Sequence, residues 1–331
     1  MTTFGIDLGT TYSCISYCDD SGHAKVVRNA TGDETTPSVV YFEDTENIVV
    51  GRYAKDVAKL YPESVVSLIK REMGTNWERG FHGRVHTPES VSAVILRKLA
   101  EYASDETGET VSDVVITVPA YFGVAEREAT RRAGELAGLN VLNVIQEPIA
   151  AALHYEAALA VRDQIILVFD LGGGTFDTTV IKVADGDVRA VCTDGDNRLG
   201  GADWDDKLAD FLMENFLEEN PGSAAADNEE FVQEQLTAAE DIKKSLTEVE
   251  EPAFGSLRWL GFQGQSSLGQ ESVDEGGPVL DALEAVLDDR GELVHVAGGE
   301  VAQAVLHVRP GTLRGVELGS IGGQPDLGQP A

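Results

Sequence analysis

Two carboxylates, Asp170 and Asp177, bracket the run Leu171-Gly172-Gly173-Gly174-Thr175-Phe176. Three successive glycines carry no side chains and tolerate positive φ, so backbone N–H groups there can converge on something brought very close to the chain. Phosphate oxygens suit such a turn. Two carboxylates beside it would repel phosphate, which implies an intervening cation, with Mg²⁺ the first candidate. The N-terminal stretch Phe4-Gly5-Ile6-Asp7-Leu8-Gly9-Thr10-Thr11-Tyr12-Ser13-Cys14-Ile15 repeats the order of apolar run, Asp-Leu-Gly, hydroxyls and apolar run. A lone glycine hairpin is commonly just a tight turn, but the repetition predicts two similar half-domains facing one another, with a nucleotide clasped between them. Asp7 and Asp170 would then approach one metal from opposite lobes, and the hydroxyls of Thr10, Thr11 and Thr175 would donate to phosphate or orient water.

Other residues carry weaker signals. Glu147 precedes Pro148 at the end of a strand-like run, the edge at which α/β folds place ligands; a helix-start carboxylate is the equal alternative. Lys70 and Arg71 close a stretch, residues 53 to 73, in which Val57, Leu60, Val65, Leu68 and Ile69 recur at near-helical spacing. A basic pair there reads by default as a solvated helix end. Gly200 and Gly201 open a helix expected from Trp204 to Leu217, where an anion site and a plain helix start weigh equally. A long helix expected from about Glu229 to Leu246 carries Glu240, Lys243 and Lys244, and alternating charge is normally a wet surface.

The elements needed to position these residues are legible in outline. Ile165 to Phe169 and Thr178 to Ile181 read as two strands joined by the glycine turn. Lys25 to Ala30 and Pro37 to Glu43 read as strands around a turn at Thr31-Gly32-Asp33, and Thr75 to Val85 as a short exposed connection. Thr87-Pro88-Glu89 is a capped helix start, followed by the apolar stripe Val91, Val94, Ile95, Leu99 and Tyr102. Strand Val114 to Val118 stops at Pro119, a helix over about 125 to 138 ends at Gly138, strand Asn140 to Ile145 follows, and an alanine-rich helix leads on through Tyr155. Val188 to Thr193 is strand-like, and Glu218 to Asp227 an exposed acidic loop. Strands alternating with helices predict an α/β architecture with mixed sheets.

The 331 residues suffice for two lobes, and 57 acidic against 25 basic residues give a net charge of −32. That acidity argues against a nucleic-acid or anionic-membrane partner. No apolar run approaches the roughly 18–20 residues of a membrane span. Cys14, Cys18 and Cys192 are odd in number and lack metal-ligand spacing, which reads as reduced thiols in a cytoplasmic protein.

The motifs IDLGTTYS (6 to 13), VVITVPAYF (114 to 122), VIQEPIAAAL (144 to 153), FDLGGGTFD (169 to 177) and LGGADWD (199 to 205) resemble the nucleotide-binding domain of the seventy-kilodalton heat-shock (DnaK-type) chaperones, over about residues 2 to 247. The resemblance implies the duplicated, two-lobed actin-like, ribonuclease H-like ATPase fold: a first lobe over 1–160, a partial second lobe over 161–247, and an atypical glycine-rich tail over 248–331. It implies ATP and ADP as ligands with Mg²⁺, and K⁺ as a further candidate cation. By the same likeness Gly9, Thr10, Thr11 and Tyr12 cradle the β- and γ-phosphates. Asp7 and Asp170 hold Mg²⁺ through its water shell, and Asp177 completes the cation cluster with Thr175. Lys70 reaches the γ-phosphate and Glu147 positions water. Gly172, Gly173, Gly174, Gly200 and Gly201 line the phosphate path; Glu240, Lys243 and Thr247 touch adenosine; Pro119 and Arg127 match the relay to a substrate domain. Implied partners are a J-domain protein and a nucleotide exchange factor, with unfolded polypeptide only if a substrate domain is supplied elsewhere.

Two departures from that pattern stand out. The segment between Lys70 and Thr87 is short, so the outer part of the first lobe is expected to be trimmed. From residue 248 onward the chain has no lysine, four arginines and 15 of the 35 glycines, and the motifs cease. A replaced or out-of-frame end on a truncated ATPase domain is expected there, with a lineage-specific extension as the rival. In that tail only a helical stretch from Val279 to Leu287 and a strand-like run from Val301 to Val308 are expected, the rest reading as loop. The leading function is an ATP-hydrolysing chaperone module. The alternatives are a non-catalytic nucleotide-binding stub and a small-molecule kinase of the same superfamily.

Overall fold

A computed structural model describes residues 2–19, 21–159, 164–184, 187–246, 293–298 and 301–307. In the first half, β1 (Phe4–Asp7) and β2 (Tyr12–Cys18) form an antiparallel hairpin that β3 (Ala24–Val26) extends, while β4 (Thr36–Pro37) pairs with the start of β2. The strands expected around Gly32 are thus shorter than their apolar runs. β5 (Val40–Phe42) and β6 (Ile48–Val50) lead into α1 (Arg52–Val57).

The helix expected over 53–73 stops there. Pro62 cannot donate to a continuing helix, and β7 (Val65–Val66) instead finds backbone partners on Val40 and Tyr41. Single 3₁₀ turns at Pro62–Ser64 and Ile69–Glu72 flank that strand, and Leu68, at φ 55, swings the chain into the second of them. The supposed exposed connection is also structured: β8 (Arg79–Phe81) and β9 (Arg84–His86) form a hairpin. Its two-residue turn, His82-Gly83, has φ 49 and 77, the left-handed pair that a tight hairpin requires. Phe81 is buried and stacks on Phe42 at 4.2 Å between ring centroids, so this hairpin belongs to the core.

α2 (Pro88–Thr107) begins where expected, with Thr87 and Ser90 capping one another's backbone N–H groups. Its Val91, Ile95, Leu96 and Leu99 are buried. β10 (Asp113–Val118) runs parallel to β1, α3 (Val124–Leu136) ends before Gly138 at φ 87, and β11 (Asn140–Gln146) lies parallel to β10. The sheet order is β11-β10-β1-β2-β3, which places the carboxyl ends of the three parallel strands at one edge. α4 (Glu147–Leu159) starts directly at that edge.

The second half repeats the plan. β12 (Gln164–Leu171), β13 (Phe176–Ala184) and β14 (Asp187–Asp196) form an antiparallel meander. Its inner face, Ile166, Val168, Ile181 and Val183, packs on Ala152 of α4, so one helix ties both sheets together. α5 (Gly201–Glu219) starts earlier than expected, absorbing the second half of the glycine loop, and packs on α6 (Glu229–Leu246) through Ala209, Leu212 and Ala239. β15 (Leu293–Gly298) and β16 (Val301–His307) form a hairpin, and the sheet order is β14-β13-β12-β16-β15.

The duplication extends to register: Asp7 faces Cys14 in the first hairpin and Asp170 faces Asp177 in the second. The lobes differ on the far side, where β1 has the parallel β10 but β12 has the antiparallel β16. The expected strand at 301–308 is present; the helix expected over 279–287 and Thr247 lie outside the described residues. The two-lobed α/β expectation is borne out. Among the described residues no helix is long and apolar enough to cross a membrane.

Candidate functional site

The two hairpin turns meet. A Cβ on Gly173 would fall 2.1 Å from Thr11 Oγ1, and one on Gly174 would fall 2.3 Å from Thr10 Cγ2, so only glycine lets the second turn lie against the first. The carbonyls of the second turn are all held from one side. The Gly201 N–H donates to Gly172 O at 3.0 Å and the Ala202 N–H to Gly173 O at 2.8 Å. Arg71 donates to Gly174 O from Nε at 3.1 Å and from Nη2 at 2.8 Å.

Every described peptide is trans, so the N–H of each unit points opposite to its carbonyl. The N–H groups of Gly173, Gly174 and Thr175 therefore all turn away from α5 and Arg71. Three consecutive N–H groups on one side form an anion-binding concavity. Gly172, Gly173 and Gly174 reach this arrangement without the positive φ that glycine tolerates. Gly200 and Gly201 support the turn from behind; a Cβ on Gly200 would sit 2.5 Å from Gly174 N.

Around this turn, charge is concentrated and dry. Lys70 is 6% exposed, and its Nζ lies 2.5 Å from Glu147 Oε1. Burial disfavours the Lys70 ammonium, but Glu147, Asp7 and Asp170 outweigh it and hold its pKa above the usual lysine range. Burial pushes the Glu147 carboxyl up, with Lys70 opposing and Asp7 and Asp170 adding to the rise. Asp7 Oδ1 accepts from the Thr117 hydroxyl at 2.8 Å. Asp170 is buried, and Asp177, 2% exposed, has no hydrogen-bond partner for Oδ1 among the described residues. Burial and the nearby Glu147 raise the Asp177 pKa to about 7, against the pull of Lys70.

Four carboxylates thus surround one ammonium, and two of them face each other across an antiparallel pair, an arrangement that repels without a cation. The donors are hard oxygens suited to Mg²⁺ or K⁺. Among the described residues no three His, Cys, Asp or Glu side chains converge closely enough to hold a bare ion. Thr10 and Thr175 are buried beside the carboxylates. Cys14 stands where the second hairpin has Asp177, and burial with the neighbouring Asp7 drives its thiol up to about 12.

The remaining candidates fall in three groups around the turn. Tyr12 joins an inter-lobe cluster: Lys55 Nζ donates to the Tyr12 hydroxyl at 3.0 Å and to Glu240 Oε1 at 2.6 Å, and Lys244 reaches the same Glu240 oxygen at 3.2 Å. Burial works against the Glu240 carboxylate, but the two lysines leave its pKa below the usual range. Lys243 donates to Gly201 O at 2.8 Å and pairs with Asp205 at 2.7 Å, buttressing the start of α5. Arg127 donates to Phe122 O at 3.2 Å, and the Phe122 N–H donates to Pro119 O at 3.2 Å, so Pro119 and Arg127 are linked through one turn.

Sequence reasoning missed Arg71, Thr117, Lys55 and Asp203. The default reading of Lys70-Arg71 as a solvated end is overturned: both are drawn inward, Lys70 to Glu147 and Arg71 to Gly174 and Asp203. The available signal was their place between the apolar run Val65 to Ile69 and the buried Met73.

A family model described as Hsp70 protein matches residues 3–84 and 78–255. The two pieces overlap over residues 78–84, between Lys70 and Thr87, and the match ends near where the motifs cease. Membership brings nucleotide binding and, in general, co-chaperone partners. The chain belongs to the Hsp70 family of heat-shock chaperones, and its paired hairpins are an Hsp70-type ATP-binding module.

Proposed function

We propose that this module hydrolyses ATP to ADP and phosphate in the cleft between a first lobe, residues 1–160, and a second, residues 161–247. The observation that carries the reading is the dry Lys70–Glu147 pair beside a glycine turn whose N–H groups face one way. Phosphoryl transfer to water needs positioning and charge neutralisation rather than covalent chemistry, and this site is equipped for both.

Mg²⁺, when bound, neutralises charge on the phosphates. Asp7, Asp170 and Asp177 hold its water shell. The N–H groups of Gly173, Gly174 and Thr175, with the hydroxyls of Thr10 and Thr11, bind the phosphate oxygens and fix their direction. Lys70, kept cationic by its carboxylates, offsets charge developing on the terminal phosphoryl group. Glu147, with Oε1 committed to Lys70, orients the attacking water and takes its proton at Oε2; its raised pKa suits it to hold that proton. The Thr175 hydroxyl aligns the same water. Tyr12, Glu240 and Lys243 border the nucleoside end, and Pro119 with Arg127 passes the state of the cleft to a substrate domain supplied elsewhere. A J-domain protein and an exchange factor fit as partners, and unfolded polypeptide as the ultimate client.

The test is a calorimetric titration of the chain with ATP and Mg²⁺, with Asp170→Ala in parallel, followed by phosphate release. Binding lost in the variant, with turnover in the parent, is the expected result. A folded chain that binds nothing overturns the reading, and binding without turnover reduces it to a non-catalytic module.

A further inference from the structure

We infer that Arg71 is a positioning residue that sets the direction of the Thr175 N–H, and does so from the opposite lobe. The second turn has three carbonyls to anchor. Two of them, on Gly172 and Gly173, are held by backbone N–H groups of α5, within the same lobe. The third, on Gly174, is held only by the Arg71 guanidinium among the described residues, in a two-nitrogen contact, with Nη2 also on Asp203 Oδ2 at 2.6 Å. Arg71 belongs to the 3₁₀ turn Ile69–Glu72 of the first lobe.

The Gly174 carbonyl and the Thr175 N–H are the two ends of one rigid trans unit, so gripping the first aims the second. With glycine on its N-terminal side, this unit turns over more readily than one between two residues that carry side chains. The Gly173 and Gly174 N–H groups are therefore pre-set by α5, whereas that of Thr175 is set only while the first lobe lies against the second. Lobe closure and completion of the three-donor concavity become one event.

The adjacent residue strengthens the coupling. Lys70 points to Glu147 and Arg71 to the turn, so a single 3₁₀ turn delivers a cation to each side of the cleft. The left-handed Leu68 fixes that turn's entry. The guanidinium borders an open cavity of about 360 Å³ lined by Leu68, Trp77, Arg198 and Asp203 among others, residues of both lobes. A guanidinium can fork over one carbonyl and still reach a carboxylate; an ammonium cannot reproduce that geometry.

The geometric part of this inference stands without nucleotide, while its catalytic consequence rests on the proposed ATP reading, and the experiment separates them. The backbone amide resonance of Thr175 is followed in the ligand-free parent chain and in Arg71→Ala, Arg71→Lys and Asp203→Asn, then again with a fluorescent ADP analogue and Mg²⁺. Arg71→Ala should move and broaden the Thr175 amide while leaving that of Gly173 in place. Arg71→Lys should restore it in part, and Asp203→Asn should perturb it least. With nucleotide, Arg71→Ala should release the ADP analogue about tenfold faster and lower kcat by about 10- to 100-fold, the loss expected from misplacing one donor, with a smaller change in KM. A Thr175 resonance that moves in Arg71→Ala, together with a parent chain that binds no nucleotide, would uphold the positioning role and sink the ATP reading. An unmoved Thr175 amide in a folded Arg71→Ala would overturn the inference, and parent-like kcat and release would overturn its catalytic consequence.

Discussion

At the scale of single residues, the site is a set of carboxylates held where water would not leave them. Asp177 is the clearest case, a side chain 2% exposed with one oxygen unsatisfied among the described residues and a pKa raised from 3.8 to about 7. Below about pH 4 this carboxyl is protonated in folded and unfolded chains alike and contributes nothing to stability. Between about pH 4 and 7 the unfolded chain has lost the proton and the native one retains it, so stability falls as pH rises, levelling above 7. Asp177→Asn keeps the shape and removes the penalty. In the ligand-free chain it should therefore stabilise by roughly 2–4 kcal/mol at pH 8 and by almost nothing near pH 4. Urea denaturation across that range measures it, and a pH-independent difference would refute the assignment. Such a residue, costly without a ligand, was marked in the sequence by its distance from Asp170 across the glycines. Arg71 was not, because a basic pair carries no mark of which way its side chains turn.

At the scale of elements, the hairpin turns are built to touch, and their glycines divide by what surrounds them. Alanine at Gly173 or Gly174 would drive a methyl into Thr11 or Thr10 of the other lobe, a strain relieved by parting the turns. Each should weaken nucleotide binding at least tenfold, with a stability loss of only about 1–3 kcal/mol. Gly134 is equally crowded, its Cβ position 2.3 Å from Val141 Cγ2, but the clash lies between α3 and β11 inside one lobe. Gly134→Ala should destabilise by a similar amount with binding intact, and titration beside thermal unfolding distinguishes the two patterns. Equal binding losses in all three would mean that the turns do not meet as described. The turns were legible because their signals are local: Asp-Leu-Gly, then hydroxyl or glycine, then a β-rich run. The helix start at Thr87-Pro88 and the stop at Gly138 were legible for the same reason. The segment from 53 to 73 was not, since Val57, Leu60, Val65, Leu68 and Ile69 mimic helical spacing while the real partner of Val65-Val66 is Val40-Tyr41, remote in sequence. Phe81 was likewise hidden, its burial depending on Phe42 from another strand.

At the scale of the whole molecule, the duplication was readable from two short motifs, but the inequality of the halves was not. Whether β12 pairs with a parallel or an antiparallel strand depends on which segment reaches its edge, and composition is silent on that. What joins the lobes was also invisible: two separate bridges, Arg71 to Gly174 and Asp203, and Lys55 with Tyr12 to Glu240. Each spans the same gap with a cation from the first lobe and an acceptor on the second, and each is partly buried, so neither is an ordinary surface pair worth a fraction of a kcal/mol. If the lobes move as rigid bodies, either bridge alone keeps the cleft nearly shut, and only losing both lets it open. A cycle of Lys55→Met, Arg71→Ala and the double variant, read by dissociation of a fluorescent ADP analogue, should then be non-additive. The double variant should release it faster than the product of the single effects predicts, with a coupling of about 0.5–3 kcal/mol. Additive effects would mean that each bridge tunes only its own end of the cleft, and that closure is governed instead by α4, on which both sheets pack.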